Sequence, residues 1–236
     1  MLFTDEGFFV GFYWGPRKET AEAVARRAYG LLQRLREISS VFTRWEPVSE
    51  KKAGRKFTAD LAHLEVLARA GVNRTDVGNE VIPDLGFRIS LLSKACGSGL
   101  VSLRITAGGY SKWVSNVCVI ELPPLASGDA ALLRVPTLVK VCESVIAFWE
   151  PDSGQVGSPG MLDLLPDRNE GVDVGWFTYL VAGHGEPPQV SPPSRVLPVN
   201  GKGHLIIATD GVFSCANPEH VKSLRRIDEA LNGAVR

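Results

Sequence analysis

An α+β domain, with a mostly antiparallel sheet and about four helices packed on it, is the architecture this sequence predicts, and residues 1–236 read as a single domain. Three observations carry that expectation. The elements run strand, two helices, three strands, helix, three strands, helix, without the regular strand–helix alternation that winds a parallel sheet. Two of the middle strands alternate apolar and polar residues, so each shows one face to water, as antiparallel strands commonly do. A chain of 236 residues, 44% hydrophobic and 22% charged, is long enough to bury one full core.

Phe8-Phe9-Val10-Gly11-Phe12-Tyr13-Trp14 has little polar content and is expected inside the sheet, not at its edge. Gly15-Pro16 ends it. Pro16 suits the first position of a helix. From there Val24, Ala28, Leu31, Leu35 and Ile38 recur at three- and four-residue steps, an amphipathic helix of about six turns. Arg26, Arg27, Gln33, Arg34 and Arg36 occupy its other face as a solvated basic surface, and Phe42 and Trp45 clamp its end to the core. The charged loop at 50–56 lacks the interleaved aromatics of a nucleic-acid groove. Thr58 caps a second helix with Leu61, Leu64, Val66 and Leu67 inward and Gly71 at its end. His63 on it has no second His or Cys a turn away and reads as a surface residue.

Residues 86–92, 101–106 and 116–122 read as three strands of a meander, with Gly97, Gly99, Gly108 and Gly109 in the turns and Pro123-Pro124 breaking the third strand. A helix from about Ala131 to Trp149 stops before Pro151, since the residue preceding a proline is pushed out of the helical region. A long Gly, Pro and Asp-rich connection then leads to an aromatic and β-branched strand at 174–180. Past Pro187, Pro188, Pro192 and Pro193, short strands are expected near 195–199 and at 204–209. The last helix opens with Asn217 as cap and Pro218 in first position, and buries Val221, Leu224, Ile227 and Leu231.

Charge and motifs narrow the function. The chain carries 26 basic and 26 acidic side chains, so no global field draws it to nucleic acid or an anionic membrane, and charged recognition must be local. The connection before the 174–180 strand is such a place. Glu150, Asp152, Asp163, Asp167, Glu170 and Asp173 stand there against Arg168 alone. Loops longer than about 12–15 residues are uncommon unless they bind something or move. The acidic stretch is therefore a candidate surface for a basic partner, the alternative being a solvated loop whose carboxylates keep it soluble. No apolar run approaches the ~20 residues of a membrane span, and acidic residues stand at the N-terminus where a secretory signal carries basic ones, so the expected compartment is the cytoplasm.

Catalytic patterns are sparse. Cys96, Cys118, Cys142 and Cys215 form no Cys-x-x-Cys pair and are expected as reduced, buried thiols. A cysteine hydrolase would need a thiol beside a histidine base, and Cys215 with His220 or His204 is the nearest candidate. Pro83-Asp84, Pro151-Asp152 and Pro166-Asp167 invite comparison with metal-dependent nucleases, yet the lone Glu-x-Lys, Glu50-Lys51-Lys52, precedes all three. Gly15-Pro16-Arg17-Lys18 makes a weak anion cradle, because proline has no amide hydrogen to offer. Tyr13, Trp14, Trp45, Trp113, Trp149 and Trp176 read as core or interface aromatics. No enzyme and no cofactor is called for by this census.

Several stretches together resemble the immunity protein 52 family: residues 13–19 (YWGPRKE), Trp45, residues 84–87 (DLGF), 149–152 (WEPD), 174–180 (VGWFTYL) and 217–220 (NPEH), in order over nearly the whole chain. That resemblance implies a non-catalytic α+β protein, without metal or cofactor, encoded beside a polymorphic toxin. The toxin is usually a restriction-endonuclease-like nuclease, often delivered by type VI secretion, and the protein binds and silences it. The implied partner is thus a cognate toxin or effector protein, with no direct contact to nucleic acid or membrane and with self-association left open. Trp14, Gly15, Trp149, Pro151, Asp152, Gly175 and Trp176 match the family motifs and read as scaffold. The resemblance does not locate the contacts. The charge argument places them at Glu150, Asp152, Asp163, Asp167, Glu170 and Asp173. A cysteine-dependent hydrolase and a non-inhibitory adaptor remain the alternatives.

Overall fold

Among the described residues the apolar first strand takes the middle of a nine-stranded antiparallel sheet. The computed structural model describes residues 7–48, 57–93, 100–124, 130–165 and 171–233; the charged loop at 50–56, Cys96, Gly97, Gly99, Asp167 and Glu170 lie outside them. Strand β1 (Phe9–Trp14) pairs on one side with β5 (Asn116–Glu121) and on the other with β6 (Ser153–Gly157). Beyond β5 the sheet continues through β4 (Val101–Ala107), β3 (Phe87–Ser93) and a short edge strand β2 (Trp45–Pro47). Beyond β6 it continues through β7 (Phe177–Val181), β9 (Gly203–Ile207) and the other edge strand, β8 (Arg195–Val199). The α+β expectation holds, with the meander β3–β4–β5 in place.

Side chains at alternate positions fall on opposite faces. On β1, Val10, Phe12 and Trp14 are buried while Phe9 and Tyr13 are half-buried. Helix α1 (Ala21–Ile38) touches both α2 (Leu61–Ala70) and α3 (Val135–Trp149), and these rest on β3 and β1 respectively. Trp14 stacks on Trp149 with centroids 5.2 Å apart, which joins the β1 end to the α3 end. A one-turn helix α4 (Pro159–Leu162) follows β6, and α5 (Pro218–Asn232) closes the chain with Leu224 and Ile227 in the core. Asn217 caps α5 as expected, its side chain accepting from the Glu219 amide at 3.0 Å.

Four local expectations are corrected. Helix α1 starts at Ala21, not Pro16, with Thr20 Oγ1 accepting from the Ala23 amide. The intervening residues stay out of the helix because their backbone is used elsewhere: Gly15 N–H donates to Asp152 and Arg17 N–H to the Gly109 carbonyl. The cap of α2 is Asp60 and not Thr58, whose hydroxyl instead donates to the Asp60 carboxylate at 2.8 Å. Only Leu64 of the four residues expected inward on α2 is fully buried, joined by Ala68 one turn on, while Val66 is 65% exposed. A ten-residue helix packed between α1 and β3 buries one narrow stripe.

The fourth correction matters most for function. The long acidic connection is interrupted by β6, a central strand, and by α4. Ser153-Gly154-Gln155-Val156-Gly157 has little intrinsic strand preference, since glycine has no side chain to pack. Its neighbour supplies what it lacks: Gly154 is paired with Phe12 and Gly157 with Phe9. A Cβ on Gly154 would stand 2.2 Å from the Phe12 ring, and one on Gly157 would stand 3.1 Å from the Phe9 ring. Aromatic rings of β1 thus cover the glycines of β6, the cross-strand arrangement that restores packing where a strand is bare.

Candidate partner-binding surface

Strand β6 divides the four described carboxylates of the acidic stretch. Glu150 and Asp152 precede it, whereas Asp163 and Asp173 lie past its far end, which separates the two groups by roughly 16 Å of strand.

Glu150 ends α3 in the left-handed region, at φ 47°, ψ 59°, because Pro151 disfavours the helical conformation before it. Its carboxylate accepts from Lys202 Nζ at 2.6 Å and lies 3.6 Å from Arg27 Nη1. The Lys202 hydrogen bond, aided by the charges of Lys202, Arg27 and Arg17, holds this carboxyl below its ordinary range. Asp152 Oδ2 accepts from the Gly15 amide at 2.7 Å, and its own N–H donates to the Tyr13 carbonyl. Asp152 thereby ties the α3–β6 corner to the end of β1, and Glu150 ties it to Lys202 and to Arg27 of α1.

Arginines complete that corner. Arg17 donates to the Trp149 carbonyl at 2.8 Å and Arg27 to the Phe148 carbonyl at 2.6 Å, so two cations satisfy the last carbonyls of α3 where the helix dipole is negative. Glu19, largely buried, accepts from Arg27 Nε at 2.7 Å and Arg17 Nε at 3.4 Å. Arg27 is thus half-buried and structural, a departure from the solvated basic face, while Arg26 and Arg34 do stay exposed, paired with Glu22 and Glu37. The glycine–proline turn holds Arg17 against a helix C-terminus and presents no anion cradle of its own.

At the other end, Asp163 is exposed just after α4, and Asp173 is exposed ahead of β7. Asp173 is close enough to Tyr13 to add to the burial that raises the phenol's pKa, with Arg104 opposing. Both flanks of the acidic stretch meet α5. Leu164 lines an open groove of about 580 Å³ with Cys215, Val221, Lys222 and Arg225, and Val172 exchanges hydrogen bonds with the Asn232 side chain at 2.8 and 2.9 Å. Asp163 and Asp173 are exposed, and Leu164, next to Asp163, shares its groove with Lys222 and Arg225 of α5.

The cysteine candidates separate as well. Cys118 and Cys142 are fully buried, and burial pushes both thiols up; Cys215 is half-buried in the α5 groove. His204 is the second residue of β9, with the rest of that strand and the segment after it between the imidazole and Cys215 in the chain. His220 Nδ1 accepts from the Ser214 amide at 3.1 Å, which leaves the ring proton on Nε2. That imidazole has no free lone pair with which to take a proton from a thiol, and burial lowers its pKa further. Among the described residues no group of three or more His, Cys, Asp or Glu side chains could hold a metal ion, and no helix is long and apolar enough to cross a membrane.

One feature escaped the sequence reading. Trp113, grouped with the core or interface aromatics, is 83% exposed at the β4–β5 turn, whereas Trp14, Trp45, Trp149 and Trp176 are buried. Its signal was its setting: Lys112-Trp113-Val114 lies between serines and glycines, outside any periodic apolar run.

The fold has a solved counterpart. The Pseudomonas aeruginosa T6SS protein PA0821 superposes with a TM-score of 0.57 at 14% identity, over 97% of this chain and 76% of that one. A comparison with curated proteins finds no match. The family model described as "Immunity protein 52" matches residues 6–235, nearly the whole chain. The α+β fold agrees with this end-to-end match, and the chain belongs to the immunity protein 52 family.

Proposed function

We propose that this protein binds a cognate secreted toxin, a nuclease of the restriction-endonuclease-like kind, and neutralises it in the cytoplasm of the cell that makes both. The carrying observation is family membership over residues 6–235. The likeness in fold to a protein described as belonging to a type VI secretion system accords with it. Binding, and not turnover, is the activity this reading assigns.

Charge suggests how. A nuclease presents a basic cleft to nucleic acid, and clustered carboxylates on an inhibitor accelerate and orient association with such a cleft. Asp163, Asp167, Glu170 and Asp173 are the proposed contacts. Glu150 and Asp152 serve the fold in this reading, because their oxygens already hold Lys202, Arg27 and the Gly15 amide.

Co-expression with the toxin encoded by the adjacent gene tests the reading: cells survive and the two chains co-purify. Reversing Asp163, Asp167, Glu170 and Asp173 together slows association and weakens its salt dependence. Unchanged kinetics would remove this stretch from the interface, and a toxin as lethal with the protein as without it would remove the function.

A further inference from the structure

A fixed stem carrying an uncovered aromatic tip stands where β4 turns into β5. Asn116, 1% exposed, accepts from the Gly109 amide at 2.9 Å and donates to the Gly109 and Gly15 carbonyls at 3.0 and 2.7 Å. The Asp84 carbonyl accepts from the Tyr110 and Ser111 amides at 2.8 and 3.0 Å, and the buried Ser111 hydroxyl accepts from the Trp113 amide at 3.3 Å. Above this stem Trp113 is 83% exposed, Val114 48% and Tyr110 38%. Each ring carries a lysine: Lys112 Nζ lies 4.8 Å from the Trp113 centroid and Lys18 Nζ lies 5.0 Å from that of Tyr110. Among the described residues neither lysine is paired with a carboxylate.

These features define a complement. Large exposed aromatics are the side chains that anchor protein interfaces, and they gain most where they enter a pocket that excludes water. A loop already ordered by its stem loses little further freedom on docking. The two lysines set the sign of the rim, since docking beside carboxylates gains a charge-assisted contact and docking beside cations is opposed. We infer that the Tyr110–Val114 tip anchors the toxin, Trp113 entering an apolar pocket edged by carboxylates; the inference rests on the immunity reading above. The tip lies at the end of the sheet away from Asp163 and Asp173, about 20 Å along β1, a span that an interface of ordinary size covers. The toxin is thus held by two contacts of opposite charge, which fix its orientation as well as its affinity.

The test measures binding of the full chain to the catalytically inactivated toxin of the adjacent gene, by surface plasmon resonance at fixed ionic strength. Trp113→Ala is expected to dissociate faster and to bind at least about tenfold more weakly, about 1.4 kcal/mol, with an unchanged melting temperature because the ring packs on nothing inside. Lys112→Glu with Lys18→Glu is expected to slow association, and Val66→Ala on exposed α2 to change neither rate. Wild-type-like toxin binding by Trp113→Ala would overturn the inference and leave the immunity reading standing. So would Trp113-dependent sedimentation with phosphatidylserine–phosphatidylcholine vesicles, or Trp113-dependent dimerisation without toxin. Failure of the unaltered chain to bind the toxin would overturn both.

Discussion

Gly154→Ala probes the part of the fold that separates the two acidic groups. The added Cβ falls 2.2, 2.5 and 2.7 Å from Cδ1, Cε1 and Cγ of Phe12. Carbon atoms rest about 3.5–4.0 Å apart, so the ring must retreat by more than an ångström. It has little room to do so: Phe12 is 0% exposed and its centroid is 5.7 Å from that of Tyr179, itself 1% exposed. Overpacking of this kind costs about 1–3 kcal/mol. Replacing glycine by alanine returns about 0.4–1 kcal/mol through the unfolded chain. The net expectation is a loss of about 1–2 kcal/mol, a fall in Tm of about 2–8 °C for a chain of this size. Urea titration and thermal melting followed by circular dichroism measure it. Phe12→Leu should relieve the clash, so alanine at 154 should cost less in that background, with a coupling of about 0.5 kcal/mol or more. A Gly154→Ala protein as stable as the parent, or an equal loss in both backgrounds, would refute the packing of β6 against β1.

Three further outcomes follow from local chemistry. Asp60 caps α2, and its carboxyl is held down at about 2, first by the His63 amide and then by the Thr58 hydroxyl and the His63 ring. Its folded pKa lies below the unfolded one, so its contribution is present above about pH 4 and lost as pH falls toward 2. Asp60→Asn, which caps without titrating, should flatten the dependence of Tm on pH in that window; an unaltered slope contradicts the assignment. Asp152→Ala removes the acceptor of the Gly15 amide and should cost about 1 kcal/mol, discounted for the exposure of the site, with Asp152→Asn costing less; denaturant titration reads both. Among the described cysteines, maleimide should modify Cys215 in the folded protein and reach the buried Cys118 and Cys142 only on unfolding, as mass spectrometry of timed samples would show. Equal labelling of all three would contradict the burial.

Elements whose own residues carried a period were legible in the sequence. The continuous apolar run of β1 announced an interior strand, the alternation of β3 and β4 announced a meander, and Asn217-Pro218 announced α5. Strand β6 was hidden because the groups that make it a strand belong to another element: the rings of Phe9 and Phe12 do for Gly157 and Gly154 what their own side chains cannot. The same reason hid Arg27, which read as a solvated cation, and Arg17, which read as part of a weak anion cradle, until the carbonyls ending α3 are brought to them. Of the acidic surface, the carboxylates were visible and their division was not, since that depended on recognising the strand between them. Trp113 was visible as a residue but not as a surface, because a stem built on Asn116 and the Asp84 carbonyl decides that the ring points to water.

The most direct measurement is isothermal titration of the purified protein into the inactivated toxin of the adjacent gene, paired with growth of cells carrying active toxin with and without this chain. A saturable complex and restored growth are expected, and both should weaken in Trp113→Ala and in the quadruple charge reversal. No heat of binding, with growth still arrested when the protein is abundant, would contradict the claim that this molecule acts by occupying a toxin's surface.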